Sequence, residues 1–344
     1  MLGILFLFTS LFSASNSPYY ARNYIVYDYN SKEIIEGKDY NDQYSVASIS
    51  KIMTAIIAIE SERLFEVVNV NGIIYTIEGS SLYLEVGSQI SLLDLVYGLL
   101  LRSGNDAAVL IAQYVSKDVN SFVSLMNKKA EEIGMEKTIF SNPSGLDIYD
   151  EGNLSTCFDM ALLMAYCMDN PLFREITSAK SYRSSLKGLW TNKNKLIHEY
   201  KYCIGGKTGY TKKARRTLIT QGEKDYDQLI VVTFDSPNDF AFHKKIYQRY
   251  LEENQYLVFL NKGLNYIDQY YIYSDRVIGI RIKKSITSGV KIYHLNPISN
   301  TLKIKFVCDD FVYVVEEEYL IDYSVNLWSF YLKVPSSYCR NILH

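Results

Sequence analysis

Three short stretches carry residue types that could act together on a carbonyl group. The first is Ser48-Ile49-Ser50-Lys51, at the head of an apolar helical pattern. A serine at i and a lysine at i+3 project from one face of a helix, so the amine can approach the hydroxyl. If burial and nearby positive charge lower its pKa, such an amine can take the hydroxyl proton and leave a nucleophile. Spacing alone is weak, because average composition puts about one Ser-x-x-Lys into a chain of this length by chance. A second copy exists at Ser184 and Lys187, but Gly188 and a polar stretch follow it, with no helix to hold the register.

The second stretch is Ser103-Gly104-Asn105, in the break between two apolar helical patterns, where a hydroxyl and a carboxamide can point into a cleft. Ser-x-Asn recurs at Ser236/Asn238 and Ser324/Asn326, and read alone it is a helix-linking turn. The third is GGKTGYT, Gly205 to Thr211. Lys207 supplies a cation, Thr208 a hydroxyl donor, and Gly209 a position without a Cβ where a substrate backbone can lie against a strand. A phosphate-binding loop would need a glycine five positions before Gly206 and a helix after Thr208; neither is present.

These stretches need elements to hold them. YIVY (24–27) and EIIE (33–36) flank a polar Asn30-Ser31-Lys32 turn and read as a β-hairpin. Ile52, Ala55, Ile56 and Ile59 recur at helical intervals, which predicts a helix from about Ser48 to Glu60 with one buried face. Helical patterns follow at 91–101, 107–115 and 121–134, the last closed by Gly134. Another begins near Thr156, with Asp159 as capping partner. Strands return at 217–221 and 228–234, joined by a polar GEKDYD turn. Strand, helical block, strand implies a sheet carrying packed helices, the α+β class. From about residue 258 alternation dominates, at Ile278/Ile280/Ile282, Leu302/Ile304/Phe306 and Trp328/Phe330/Leu332/Val334, which predicts a small all-β domain acting as spacer or docking module.

The chain has 344 residues, 48% of them apolar, enough for a full core. Its net charge of −2 argues against a nucleic-acid binder, and the 31 scattered tyrosines read as compositional drift. MLGILFLFTSLF is too short to span a bilayer as a helix but suits the core of an export signal, although no Lys or Arg precedes it. We therefore expect 1–17 to be a signal peptide or anchor, 18–257 a catalytic domain and 258–344 a β-rich domain, the protein being exported to the cell wall or the outer face of the membrane. Membrane association would run through the N-terminal segment, because the tail YLKVPSSYCRNILH has a proline and no apolar face of useful length. Cys157, Cys167, Cys203, Cys308 and Cys339 form no CxxC pair and stand near no histidine at ligand spacing, so neither a metal, a cofactor nor a structural disulfide is expected. His198, His243, His294 and His344 lie outside the three stretches, and no GxSxG elbow supports a Ser-His-Asp triad.

The order Ser-x-x-Lys, Ser-x-Asn, Lys-Thr-Gly, with 55 residues from Ser48 to Ser103 and 104 from Ser103 to Lys207, resembles the penicillin-recognising serine peptidases and β-lactamases. ARNYIVYDYNSKEIIEGKD, GSSLYLEVG, LVYGLLLRSGNDAAVLIA, FSNPSGLD, LSTCFDMALL, NPLFREI and NKNKL narrow it to the low-molecular-mass D-alanyl-D-alanine carboxypeptidases over about residues 20–250. The resemblance implies a β-lactamase/DD-peptidase-like domain, an antiparallel sheet with helices on both faces and a helical subdomain. It also implies roles. Ser48 would be the nucleophile and Lys51 its base, Ser103 a proton relay, and Asn105 a holder of Lys51 and the substrate amide. Lys207, Thr208 and Gly209 would bind the substrate's terminal carboxylate and backbone, and the N–H groups of Ser48 and Tyr210 would form the oxyanion hole. The partners implied are a peptidoglycan stem peptide ending in D-Ala-D-Ala and β-lactams as covalent inhibitors. Two rivals share the pattern. A serine β-lactamase would need a glutamate for the deacylating water, and Glu151 in EGNLST mimics one, though Ser155-Thr156 and the helix after them fit a carboxypeptidase better. A silent peptidoglycan-binding or morphogenetic protein would have lost Ser48, Lys51 or Lys207 first, and all three are present.

Overall fold

The computed structural model describes residues 19–147, 152–267, 270–296, 301–308, 312–318 and 321–322. The chain divides into two compact units, the first running to Glu223 and resuming over Gln228–Gln248, the second comprising Lys224–Asp227 and the chain from Arg249 onward.

In the first unit, β1 (Asn23–Asp28), β2 (Ile34–Lys38), β3 (Cys203–Thr211), β4 (Arg215–Lys224) and β5 (Asp227–Phe234) form one sheet in the order β2-β1-β5-β4-β3. The β1–β2, β1–β5 and β3–β4 pairs are antiparallel. The predicted hairpin forms because Asp28 accepts the Asn30 and Ser31 N–H groups, at 2.9 and 3.0 Å, and pins the turn. Register sets Ile25 opposite Val232 and Tyr27 opposite Ile230, and all four join the main core. The GEKDYD stretch is shorter as a turn than its polarity suggested. Gly222, Glu223 and Lys224 continue β4 because they keep its ladder, which leaves Asp225 and Tyr226 between the strands.

One face of the sheet carries α1 (Lys51–Glu60), surrounded by α2 (Leu92–Tyr97), α3 (Asn105–Ser116), α4 (Val119–Ile133), α5 (Cys157–Met168) and α6 (Pro171–Ser178). Four of the six starts have a side-chain reason: Ser91, Asp118, Thr156 and Asn170 accept N–H groups of the first turns of α2, α4, α5 and α6. The single buried face expected for α1 is corrected here. Every residue from Lys51 to Ala58 is buried, because helices surround it on all sides, and its two polar positions there, Lys51 and Thr54, would be costly without partners. Full burial of Ile52, Ile56 and Ile57 contributes roughly 1.5–3 kcal/mol each. On the other face lies α7 (Asp239–Tyr247), with Phe242 edge-on to Tyr24 at 5.0 Å between ring centroids.

The second unit is β-rich, with strands Asn254–Leu260, Gly263–Ile267, Tyr270–Ser274, Ile278–Lys283, Val290–Asn296, Thr301–Val307, Val312–Glu318 and Ile321–Asp322. The alternating Ile278/Ile280/Ile282 and Leu302/Ile304/Phe306 sets are buried together, as their period requires. Residues 328–334, Cys339, His344 and the C-terminal tail lie outside the described residues, as do residues 1–18. Among the described residues no helix is long and apolar enough to cross a membrane.

Candidate active site

Ser48 lies in a tight helical turn, Ala47–Ser50, that runs into α1. Ala47 takes a left-handed φ of 51°, a strained value for a residue with a Cβ. The turn sits directly on β3 at Gly209, where an added Cβ would come within 3.0 Å of the Ser48 nitrogen and 2.3 Å of Thr217 Oγ1. Thr217 in turn donates to the Val46 carbonyl at 3.0 Å. Glycine at 209 is what lets strand and nucleophile turn touch. Ser48 stays partly exposed, whereas Lys51, one helical turn on, is fully buried.

The Lys51 ammonium meets three oxygens: Ser48 Oγ at 2.9 Å, Asn105 Oδ1 at 2.7 Å and the Ser144 carbonyl. No carboxylate is among them. Burial pushes its pKa well below the ordinary lysine value, and the charges of Lys207 and Lys193 push it the same way, against a smaller pull from Asp106. The Ser144 carbonyl is aimed by a rigid turn, for Asn142 Oδ1 accepts the Ser144 and Gly145 N–H groups at 3.1 and 2.7 Å, and Thr54 of α1 donates to the Pro143 carbonyl at 2.7 Å. A backbone acceptor carries no side-chain signature, so Ser144 was absent from the predicted set; FSNPSGLD signalled only family resemblance.

The second motif forms where α2 loosens into a π turn, Gly98–Arg102, followed by Ser103 at a left-handed φ of 65°. The 91–101 pattern is therefore two helical segments, and the wide turn and reversed φ re-aim the chain so that Ser103 and Asn105 face the cleft. Asn105 opens α3, its N–H bonded to Ser80 O at 2.7 Å and its Nδ2 to Glu78 O at 2.7 Å. Asp106 anchors the same loop through Ser81 Oγ at 2.7 Å and the Leu82 N–H at 2.8 Å. Two further groups missing from the predicted set, Asp106 and Lys193, thus act around the motif; Lys193 Nζ reaches Ser80 Oγ at 3.3 Å.

GGKTGYT lies within β3, an edge strand in its own right rather than a lead-in to the next one. Lys207, 2% exposed, donates to Ser103 Oγ at 3.0 Å and to the Thr208 carbonyl at 2.7 Å. Burial, aided by Lys193, brings its pKa down to about 7. Thr208 and Gly209 are partly exposed and Tyr210 is 60% exposed, so the strand opens to solvent past the lysine. Ser48, Lys51, Ser103, Asn105, Lys207, Thr208 and Gly209 are thereby joined by direct contacts, with the Tyr210 backbone next in line.

The two arginines beside the third stretch, the histidines and the cysteines fall elsewhere. Arg216 is paired with Asp239 at 2.7 Å, and Arg215 is exposed. His243 is buried behind the sheet between Thr220 Oγ1, at 2.7 Å, and Thr233 Oγ1, at 3.0 Å, and burial lowers its pKa to about 3. His198 bonds the Asn192 carbonyl and His294 is exposed. Cys157 and Cys167 are buried in α5, and burial raises both thiol pKa values. Glu151 lies outside the described residues. Among those described, no group of three or more His, Cys, Asp or Glu could hold a metal ion.

Two lysines with depressed pKa values, each against a serine hydroxyl, are an arrangement for proton transfer and nucleophilic attack. Comparison with known proteins points the same way. A family model described as D-alanyl-D-alanine carboxypeptidase matches residues 11–238. D-alanyl-D-alanine carboxypeptidase DacF of Bacillus subtilis is 30% identical over 225 residues, 62% of this chain and 57% of that one. DacB2 of Mycobacterium tuberculosis is 33% identical over 215 residues, 61% of this chain and 73% of its own length. The chain thus spans little more than half of the first relative. The crystal structure of penicillin binding protein 5 from Haemophilus influenzae shares the fold, with a TM-score of 0.74 over 90% of this chain and 98% of that one at 23% identity. Since the family match extends over more than half of the sequence and takes in every residue of the cluster around Ser48, the chain belongs to the D-alanyl-D-alanine carboxypeptidase family.

Proposed function

We propose that the protein is a serine-type D-Ala-D-Ala carboxypeptidase that removes the terminal D-alanine from peptidoglycan stem peptides and is acylated by β-lactams at the same serine. The observation that carries this reading is the buried Lys51 amine, 2.9 Å from Ser48 Oγ with no carboxylate to hold its proton. A neutral amine has two N–H donors and one lone pair. With Asn105 Oδ1 and the Ser144 carbonyl taking the donors, the lone pair faces the Ser48 hydroxyl.

Ser48 Oγ attacks the carbonyl of the penultimate D-alanine while its proton passes to Lys51. The N–H groups of Ser48 and Tyr210 stabilise the oxyanion. Ser103, hydrogen-bonded to Lys207, relays a proton to the leaving amine, and D-alanine departs. Lys207 and Thr208 hold its carboxylate, an interaction strengthened by the dry surroundings of the lysine. Water then cleaves the ester on Ser48 and restores the hydroxyl. In this reading the first unit is the peptidase domain and the second a separate β-rich domain, and the protein works outside the cytoplasmic membrane, where cross-linkable stem peptides lie, with residues 1–17 as export signal or anchor.

Incubation with a pentapeptide ending in D-Ala-D-Ala tests the reading. One D-alanine is expected per peptide, and none with Ser48→Ala. No release from the wild type, together with no penicillin adduct, would contradict it; an adduct hydrolysed within seconds rather than hours would point instead to a β-lactamase.

A further inference from the structure

In a chain of net charge −2, the stretch that turns from β3 into β4 gathers four cations into five positions, Lys212, Lys213, Arg215 and Arg216 around Ala214. The turn is pinned from within. Ala214 is buried and its N–H donates to Thr211 Oγ1 at 3.0 Å, while Lys212, Lys213 and Arg215 are exposed. Arg215 holds a left-handed φ of 58°, which a glycine would adopt without cost, and strain of that kind gathers at ligand clamps. Arg216 is committed to Asp239 of α7. Neither Lys212 nor Arg215 has a carboxylate partner among the described residues.

Register puts these charges beside the part of the substrate that stays on the enzyme. With its terminal carboxylate at Lys207 and Thr208 and its reacting carbonyl at the Tyr210 N–H, a peptide lies antiparallel to β3 on its open edge. The penultimate D-alanine then stands opposite Tyr210 and the residue before it opposite Thr211. The one before that comes opposite Lys212, roughly 6.8 Å from the reacting residue. β3 ends at Thr211, so the peptide runs off the ladder beside the basic turn. Arg215 pairs with Thr211 across β3 and β4, two strand spacings or roughly 10 Å from the peptide backbone. A guanidinium and a substrate carboxylate extended towards each other close that span.

We propose that Lys212 and Arg215 bind a carboxylate on the residue two before the penultimate D-alanine, so that stem peptides with that carboxyl free are preferred to those in which it is amidated. The assignment rests on the carboxypeptidase reading and deepens its substrate class. Lys207 recognises the end that leaves; the basic turn recognises the portion that stays on Ser48. Both cations are solvated, so each contributes what an exposed ion pair does, a small gain that salt screens.

The test compares kcat/KM for L-Ala-γ-D-Glu-L-Lys-D-Ala-D-Ala with that for the same peptide carrying the D-Glu α-carboxyl as its amide. The wild type should favour the carboxylate by about fivefold at low salt, and by less than about twofold in about 0.5 M NaCl. Lys212→Gln combined with Arg215→Gln should bring the ratio to about one, whereas Lys212→Arg combined with Arg215→Lys, which keeps both charges, should retain it. A purely structural turn, or one that docks an anionic polymer instead of this substrate, would move both peptides together and leave the ratio alone, which overturns the assignment. So does a wild type that prefers neither peptide, or a preference that salt does not weaken. Should the double glutamine variant lose its fold, Lys212→Gln alone is read, with a preference cut by about twofold expected and an uncut one overturning the idea. A wild type inactive on both peptides fails the carboxypeptidase reading itself; equal activity on both fails the basic turn alone.

Discussion

Ser48/Lys51 and Ser184/Lys187 share one spacing and differ in everything else. Ser184 closes a short strand, Ser181–Ser184, and its Oγ accepts the N–H groups of Leu186 and Lys187 at 3.2 and 3.4 Å in a tight turn. Lys187 extends away to Glu85, at 2.8 Å, whose side chain is 81% exposed and whose carboxyl the lysine holds below its usual range. There the ammonium has a counterion and water. Lys51 has neither; it has a hydroxyl, two carbonyl oxygens and a second buried lysine nearby. The interval of three residues brings amine and hydroxyl within reach only on a helix, and only desolvation without a counter-charge makes that amine a base.

The contrast breaks most sharply at the lysines themselves. Lys51→Met should lower acylation by benzylpenicillin about 10³-fold, in the range for loss of a positioned general base, measured as the second-order rate of labelling. Equal loss in Lys187→Met would erase the distinction. Asn105→Ala, which removes one of the acceptors orienting Lys51, should cost about 10- to 100-fold in D-alanine release while the protein still melts cooperatively.

The pH profile sharpens the same point. Catalysis needs Lys51 neutral and Lys207 charged, and burial lowers both pKa values, that of Lys207 to about 7. Thus kcat/KM should rise with pH as Lys51 loses its proton and fall above about 7 as Lys207 does, the two limbs belonging to the coupled pair. Lys207→Arg, which stays charged, should remove the falling limb and keep the rising one. Smaller in effect, Thr54→Val strands the buried Pro143 carbonyl and should cost about 1–3 kcal/mol in urea unfolding. Lys187→Met, at the surface, should leave activity within about twofold of wild type.

Much of this was readable from residue order. The hairpin, the capped helix starts and the alternating sets at 278–282 and 302–306 follow from local pattern, because capping and period act over a few residues. The three motifs were readable as a set, since Ser48, Ser103 and Lys207 are uncommon only in combination. What local pattern could not supply was enclosure. The one-sided stripe of α1 concealed a helix buried all round, because the other sides are covered by distant segments. The same limit hid the Ser144 carbonyl, whose effect comes through a backbone oxygen rather than through a residue type expected to react. Asp106 and Lys193 were missed because each works on a neighbour, a loop in one case and two lysines in the other.

Intact-mass measurement after exposure to benzylpenicillin, with peptide mapping of the adduct, tests the central claim most directly. The account predicts one penicilloyl group per chain, on Ser48, persisting for hours and absent from Ser48→Ala. An unmodified wild type, or an adduct that survives the Ser48→Ala substitution, would contradict it.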